Sequence, residues 1–241
     1  MDNIKEFYII GDPIDTRIGK LYPVTVKEYP YFIKHIGTLQ FDKRDLLFYL
    51  SGMVSQNEEM RPIFDLANSI PLFNFITYFA DESYKGSFLY ELYEQYKALF
   101  SFCFRKDVFD MIQDNEEFDY FINLIIDFND LSREKVSHNP ELARFDRLKQ
   151  KLNELKGESI TFEAMYTSVL LSSNTHPNEM TLYQFNKAFD RIMQYKDNDT
   201  TTLFATVSDK VDIVPWYGSK KKEKQSFITE EQLKQGVSKN L

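Results

Sequence analysis

Three histidines, His35, His138 and His176, are the first candidates for acid–base or metal chemistry, and their spacing speaks against both. They lie far apart, and none has a second ligand at the short offsets that metal sites use. His35 follows a lysine in a helical stretch and the other two fall in polar loops, so all three read as surface histidines. The carboxylate pairs Glu58-Glu59, Asp81-Glu82 and Glu116-Glu117 are adjacent in sequence. Neighbours do not face each other on a helix, so these pairs read as helix starts or solvated surface rather than as an acid–base dyad. Gly11-Asp12-Pro13 follows an apolar run but no further glycine follows at phosphate-loop spacing, which leaves a turn. No serine sits in a G-x-S-x-G context. Cys103, within LFSFCFRK, reads as a buried inert thiol. Lys220, Lys221, Lys222 and Lys224 form the one dense basic cluster and read as a solvated segment. No catalytic, metal or cofactor site is expected.

The elements that would carry any site are mostly helical. The chain has 241 residues, 43% hydrophobic and 27% charged, enough for a sizeable core. Aromatic residues reach 16%, with 22 Phe and 15 Tyr, which excludes disorder; eight Gly and eight Pro are too few for a turn-rich all-β fold. A net charge of −8 repels phosphate and disfavours nucleic acid as a partner. A single cysteine excludes an intramolecular disulfide and fits a reducing compartment. The N-terminal MDNIKEFYIIGDP lacks the apolar stretch of a signal peptide, and no run approaches the roughly 20 apolar residues of a membrane span. A soluble intracellular protein is expected, with no membrane partner.

The expected fold is mainly α: a multi-helix globular protein with a small N-terminal β-hairpin. Phe7–Ile10 and Ile18–Val24 are the two runs that could pair as that hairpin. Thr25 and Glu28 have capping-box spacing ahead of a helix beginning near Pro30, and Asp42 caps the next, Lys43–Val54. The apolar stretch Pro62–Phe79 breaks at Pro71. Ser87–Phe104, Lys106–Ile112 and Glu116–Phe128 read as three more helices. Residues 129–157 turn polar, with a narrow stripe of Leu142, Phe145, Leu148, Leu152 and Leu155, and suggest a connector and an exposed helix. Thr161–Leu171 is a compact apolar helix. The implied organisation is residues 1–128 as hairpin plus helical domain, 129–157 as connector, 158–217 as a C-terminal helical module and 218–241 as a polar tail, where Thr229 and Gln232 open a short helix.

The segment from Met180 to Trp216 reads as a packing and docking module. Thr181 and Gln184 form a capping box, with Met180 and Phe185 as its hydrophobic staple. Leu182, Phe185, Phe189, Ile192 and Met193 line one face, and Asp199 with the threonines behind it suggests a cap for a further helix to about Val211. Trp216 is either a core plug or an interface anchor. The candidate protein-binding residues are Leu182, Tyr183, Phe185, Trp216 and Tyr217. The 37 Phe plus Tyr exceed what helix stripes readily hide, so some exposed aromatic area is expected to mark a protein partner.

Two blocks, FYIIGDPIDTRIGKLYPVTVKEYPYFIKHIG and MTLYQFNKAFDRIMQYKDNDTTTLFATVSDKVDIVPW, cover under a third of the chain. Their pattern resembles that of tail assembly chaperones of phages and prophages of Gram-positive bacteria. The resemblance implies a helical, non-enzymatic protein that coats the tape measure protein and recruits tail-tube subunits in the cytoplasm of the infected host, with a homo-oligomer as a further possibility. It also implies a second, frameshifted form; the Lys220–Lys222 run is where a ribosome could slip. A structural tail or neck component retained in the virion, and an enzyme with a site of scattered carboxylates and tyrosines, are the competing readings.

Overall fold

The computed structural model describes residues 4–131, 160–208 and 213. The chain divides into two compact units, Met1–Ile192 and Met193–Leu241, and the division falls within its last described helix. The stripe from Leu142 to Leu155, the lysine cluster and the Thr229 box lie outside the described residues.

The first unit opens with α1 (Ile4–Ile10), followed by a two-stranded antiparallel hairpin, β1 (Ile14–Thr16) and β2 (Gly19–Leu21). Ile14 faces Leu21 across the hairpin and both are buried. The N-terminal hairpin is therefore present, but Phe7–Ile10 is not part of it. That run is helical, and Tyr8 is its one buried side chain. A four-residue apolar run has no period of its own to separate strand from helix.

The helices begin and end where local chemistry dictates. Thr25 and Glu28 form the expected capping box, on a short 3-10 turn that leads into α2 (Tyr29–Gln40) with Pro30 in its first turn. Asp42 caps α3 (Lys43–Gln56) by accepting from the amides of Arg44 and Asp45. Pro71 separates α4 (Arg61–Ser69) from α5 (Leu72–Tyr78). Ser87 caps α6 (Phe88–Phe104), where Leu89, Leu92, Tyr93, Tyr96, Leu99, Phe100 and Cys103 recur at helical spacing and are buried. The expected helix over Lys106–Ile112 is reduced to a 3-10 turn, Phe109–Met111, because Val108, Phe109 and Ile112 all turn into the core within five residues. Asp114 then caps α7 (Asn115–Phe128).

Most of the aromatic excess is spent between α5, α6 and α7. Phe118 lies 5.3 Å from both Phe73 and Tyr96 by ring centroid and 6.1 Å from Phe100. Each such pair adds about 0.5–1.5 kcal/mol beyond burial, so truncating Phe118 to Ala costs on the order of 3–5 kcal/mol. Helix α6 ends at Arg105, a non-glycine residue at φ 58°. That strained C-cap is held by the ion pair with Glu28 and by the rings of Tyr22 and Phe102, 5.8 and 5.6 Å from the guanidinium carbon.

Helix α8 (Phe162–Ser172) is capped by Thr161, and α9 (Leu182–Ala205) follows. The chain entering α9 is stitched to the N-terminal part of the fold. Val26 N donates to Met180 O at 3.0 Å and Leu182 N donates to Val24 O at 2.8 Å. No new helix starts at Asp199: α9 runs through to Ala205. The hydroxyl of Thr201 donates to the carbonyls of Asp197 and Asn198, which absorbs a potential cap within an unbroken helix.

Candidate functional site

The start of α9 carries the sequence-nominated docking residues, and it is built on its capping box. Gln184 N donates to Thr181 Oγ1 at 3.2 Å and Thr181 N donates to Gln184 Oε1 at 3.0 Å. The helix so fixed turns Leu182 and Phe185 inward, at 3% and 1% exposure. These two side chains belong to the core; Phe185 meets the ring of Phe162 at 5.6 Å. Tyr183 is half-buried, 5.7 Å from the ring of Tyr8 with the Lys187 ammonium 5.3 Å above its centroid. Trp216 and Tyr217 lie outside the described residues.

What this segment positions is α1. Gln184 Nε2 donates to the carbonyls of Ile9 and Ile10 at 2.9 and 3.0 Å, satisfying two of the orphan carbonyls at the end of that helix. Gly11 follows at φ 85°, and its N–H bonds to Phe7 O at 2.8 Å. Tyr8 is the anchor beneath. Its ring packs 5.3 Å from Phe128, and burial, reinforced by the charge of Asp127, pushes its phenol up to about 12. With Tyr8 inward and the carbonyls clamped, α1 holds Ile9 and Ile10 outward at 62% and 63% exposure, beside exposed Phe7. The sequence reading missed these three as surface residues because it paired their run as a strand. No local signal separated the two, because four successive apolar residues fit a strand and a helix alike.

The flank of the platform is charged. Lys187 pairs with Asp130 at 2.6 Å, at the end of α7, and Asn186 Nδ2 donates to Asp130 O. The chemistry available here is therefore apolar docking with a polar rim, the usual form of a protein-binding patch.

The titratable groups weighed in the sequence have structural work among the described residues. His35 is buried, not at the surface as expected. It packs 5.6 Å from Phe102, and burial, then the neighbouring charge of Lys34, lowers its imidazole below the usual range. His176 accepts from the amide of Asn178 through Nδ1 at the head of a short 3-10 turn. His138 lies outside the described residues. Glu58 pairs with Arg61, Asp81 caps a 3-10 turn, and Glu117 takes a bidentate contact from Arg17. Burial pushes the Cys103 thiol up to about 12, the opposite of a reactive thiolate. No group of three or more His, Cys, Asp or Glu is placed to hold a metal among the described residues, and no described helix is long and apolar enough to cross a membrane.

A cavity of about 460 Å³ opens between α3, α5, α6 and α7, floored by Leu72, Tyr96, Phe118 and Ile122. Its rim charges are engaged with the scaffold. Lys43 Nζ donates to the carbonyls of Asn68 and Ile70, Arg44 pairs with Asp42, and Asn115 accepts from Phe73 N while donating to Asp119.

Against known proteins, the family model described as the YomV N-terminal domain matches residues 2–138. The SPbeta prophage-derived uncharacterized protein YomV of Bacillus subtilis (strain 168) is 27% identical over 219 residues, covering 90% of this chain and 88% of that protein. No solved structure matches.

Proposed function

The chain belongs to the family of the YomV N-terminal domain, a lineage of phages and prophages of Gram-positive bacteria, and from there we propose that it is a non-enzymatic tail assembly chaperone. It binds the tape measure protein, tail-tube subunits or both in the cytoplasm of the infected host, and makes and breaks no covalent bonds. The observation that carries this reading is the α1 platform. A seven-residue helix, pinned by Gln184 and Tyr8, holds Ile9 and Ile10 in solvent, covered by none of the described residues. Apolar side chains fixed in water are costly to leave uncovered, and a rigid patch loses little entropy when a partner covers it. A long helical client offers apolar stripes of matching kind.

The test is co-elution of the full chain with the tape measure protein in size exclusion at micromolar concentration. A complex is expected, and Ile9→Asp with Ile10→Asp is expected to abolish it while the fold persists. Independent elution of the wild-type proteins overturns the reading. Mass spectrometry of purified virions separates a chaperone from a structural tail or neck component: a chaperone is absent from the particle and a component remains in it.

A further inference from the structure

We infer that the cavity between α3, α5, α6 and α7 binds an organic cation, a ligand with a flat apolar body and an ammonium or guanidinium end. Its volume of about 460 Å³ falls within the roughly 300–1,000 Å³ of small-ligand pockets. Hydrogen bonds between different elements frame it. Tyr96 Oη donates to Phe41 O at 3.1 Å and ties α6 to the chain ahead of α3. Phe73 N donates to Asn115 Oδ1 at 3.2 Å and ties α5 to α7. Lys43 Nζ donates to Ile70 O at 2.7 Å and ties α3 to the chain between α4 and α5. Walls fixed in this way spare a ligand the cost of ordering its own site.

The walls specify the ligand. The floor is apolar: Leu72, Tyr96, Phe118 and Ile122 are 9% exposed or less. Water over such a floor has few partners and yields to an apolar body. Beside the floor, α7 sets Asn115, Asp119 and Asn123 four residues apart along one wall. Asn115 spends both halves of its amide on the scaffold, with Nδ2 donating to Asp119 Oδ2 at 2.9 Å. Asp119 Oδ1 and the amide of Asn123 have no hydrogen-bond partner among the described residues, and both residues are exposed. Charge then decides the sign. Helix α7 carries Glu116, Glu117, Asp119 and Asp127 and no base. Across the cavity the first turn of α3 is balanced, Lys43 and Arg44 standing with Asp42 and Asp45, and Arg44 pairs with Asp42 at 2.7 Å. The uncompensated charge of the lining is the Asp119 carboxylate, which attracts a cation and repels an anion. Such a ligand is either a free aromatic amine or an apolar residue next to Lys or Arg in a polypeptide. In the second case Asn123, with donor and acceptor both unspent, is placed to take the backbone.

Amide-detected NMR of the full chain, titrated with phenethylammonium, phenethyl alcohol and phenylacetate, compares one ring with positive, no and negative charge. Shifts are expected at Leu72, Asn115 and Asn123. Affinity should fall in that order, with a dissociation constant for the cation on the order of a millimolar. Asp119→Asn should weaken the cation about three- to fivefold and leave phenethyl alcohol unchanged, and Asp119→Lys should favour phenylacetate. The wild-type series decides alone should either variant not fold. Acetyl-Phe-Lys-amide separates the two sources. Tighter binding than the amine, lost in Asn123→Ala, assigns the site to a polypeptide; binding no tighter assigns it to a free amine. No shifts at the cavity up to about 20 mM ligand, phenylacetate bound as tightly as the cation, or a cation preference that survives Asp119→Asn overturns the inference. No client protein enters the titration, so this inference and client capture through α1 can each fail without the other.

Discussion

Gln184 closes a helix that lies 174 residues away from it in sequence: its Nε2 sits 3.0 Å from the carbonyl oxygen of Ile10. The same side chain accepts from Thr181 N through Oε1, so one amide completes a capping box at the start of α9 and terminates α1. Gln184→Ala removes these bonds together. At roughly 0.5–1.5 kcal/mol for each of the three, the one to Ile9 O included, the urea midpoint should fall by an amount equivalent to about 1.5–4.5 kcal/mol. Amide exchange at residues 7–11 should accelerate more than exchange in α6. Unchanged exchange there would remove Gln184 from the platform.

Gly11 and Gly52 predict opposite outcomes for the same substitution. Gly11 has φ 85°, and a Cβ there would sit 2.9 Å from Thr181 Cγ2 and 3.2 Å from Gln184 Nε2. Gly11→Ala should therefore cost about 1–2 kcal/mol for the backbone alone, with the crowding added. Gly52 lies inside α3 with nothing within 4 Å of its would-be Cβ, so Gly52→Ala should stabilise by about 0.5–1 kcal/mol. Thermal melts of the two variants read both signs in one experiment.

The same pair of elements shows where sequence was and was not sufficient. Local rules located Thr25–Glu28, Asp42, Pro71, Ser87 and Thr181 as helix starts or breaks, because capping and proline effects act within four residues. They failed on Phe7–Ile10 because what settles that run as helix is Tyr8 against Phe128 and Gln184 on its last carbonyls, contacts no local window contains. They failed on His35 because its burial comes from α6, through Phe102. For the docking residues, periodicity correctly put Leu182 and Phe185 on an apolar face. It could not say that the face is covered by its own fold.

His35 gives a pH dependence with a definite sign. Its folded imidazole titrates below the usual value because burial, then Lys34, disfavours the charged form. Between the lowered value and the ordinary one near ~6.5, the unfolded chain holds a proton that the folded chain lacks. Stability should therefore be flat above that window, fall as pH drops through it, and level off below. Urea midpoints from about pH 8 to about pH 5 should show the decline, and His35→Leu should flatten that portion. A wild-type midpoint that rises on acidification through the window contradicts the assignment.

Asn129 is fully buried between the hairpin and the end of α7, and each half of its amide has a different task. Oδ1 accepts from Val24 N at 2.9 Å and Nδ2 donates to Ile125 O at 2.8 Å. Asn129→Ala strands the Val24 N–H away from water and should cost about 1–3 kcal/mol. Asn129→Asp is the sharper test. An ionised carboxylate can still accept from Val24 N, but its second oxygen then faces the Ile125 carbonyl, acceptor against acceptor, and the charge is buried. Protonation converts that oxygen into a donor and restores the asparagine pattern. The carboxyl should thus titrate above the usual range, and the deficit of Asn129→Asp relative to wild type should shrink as pH falls from about 7 to about 4.5. A deficit that stays constant or grows over that range would mean that Nδ2 is not the donor Ile125 requires.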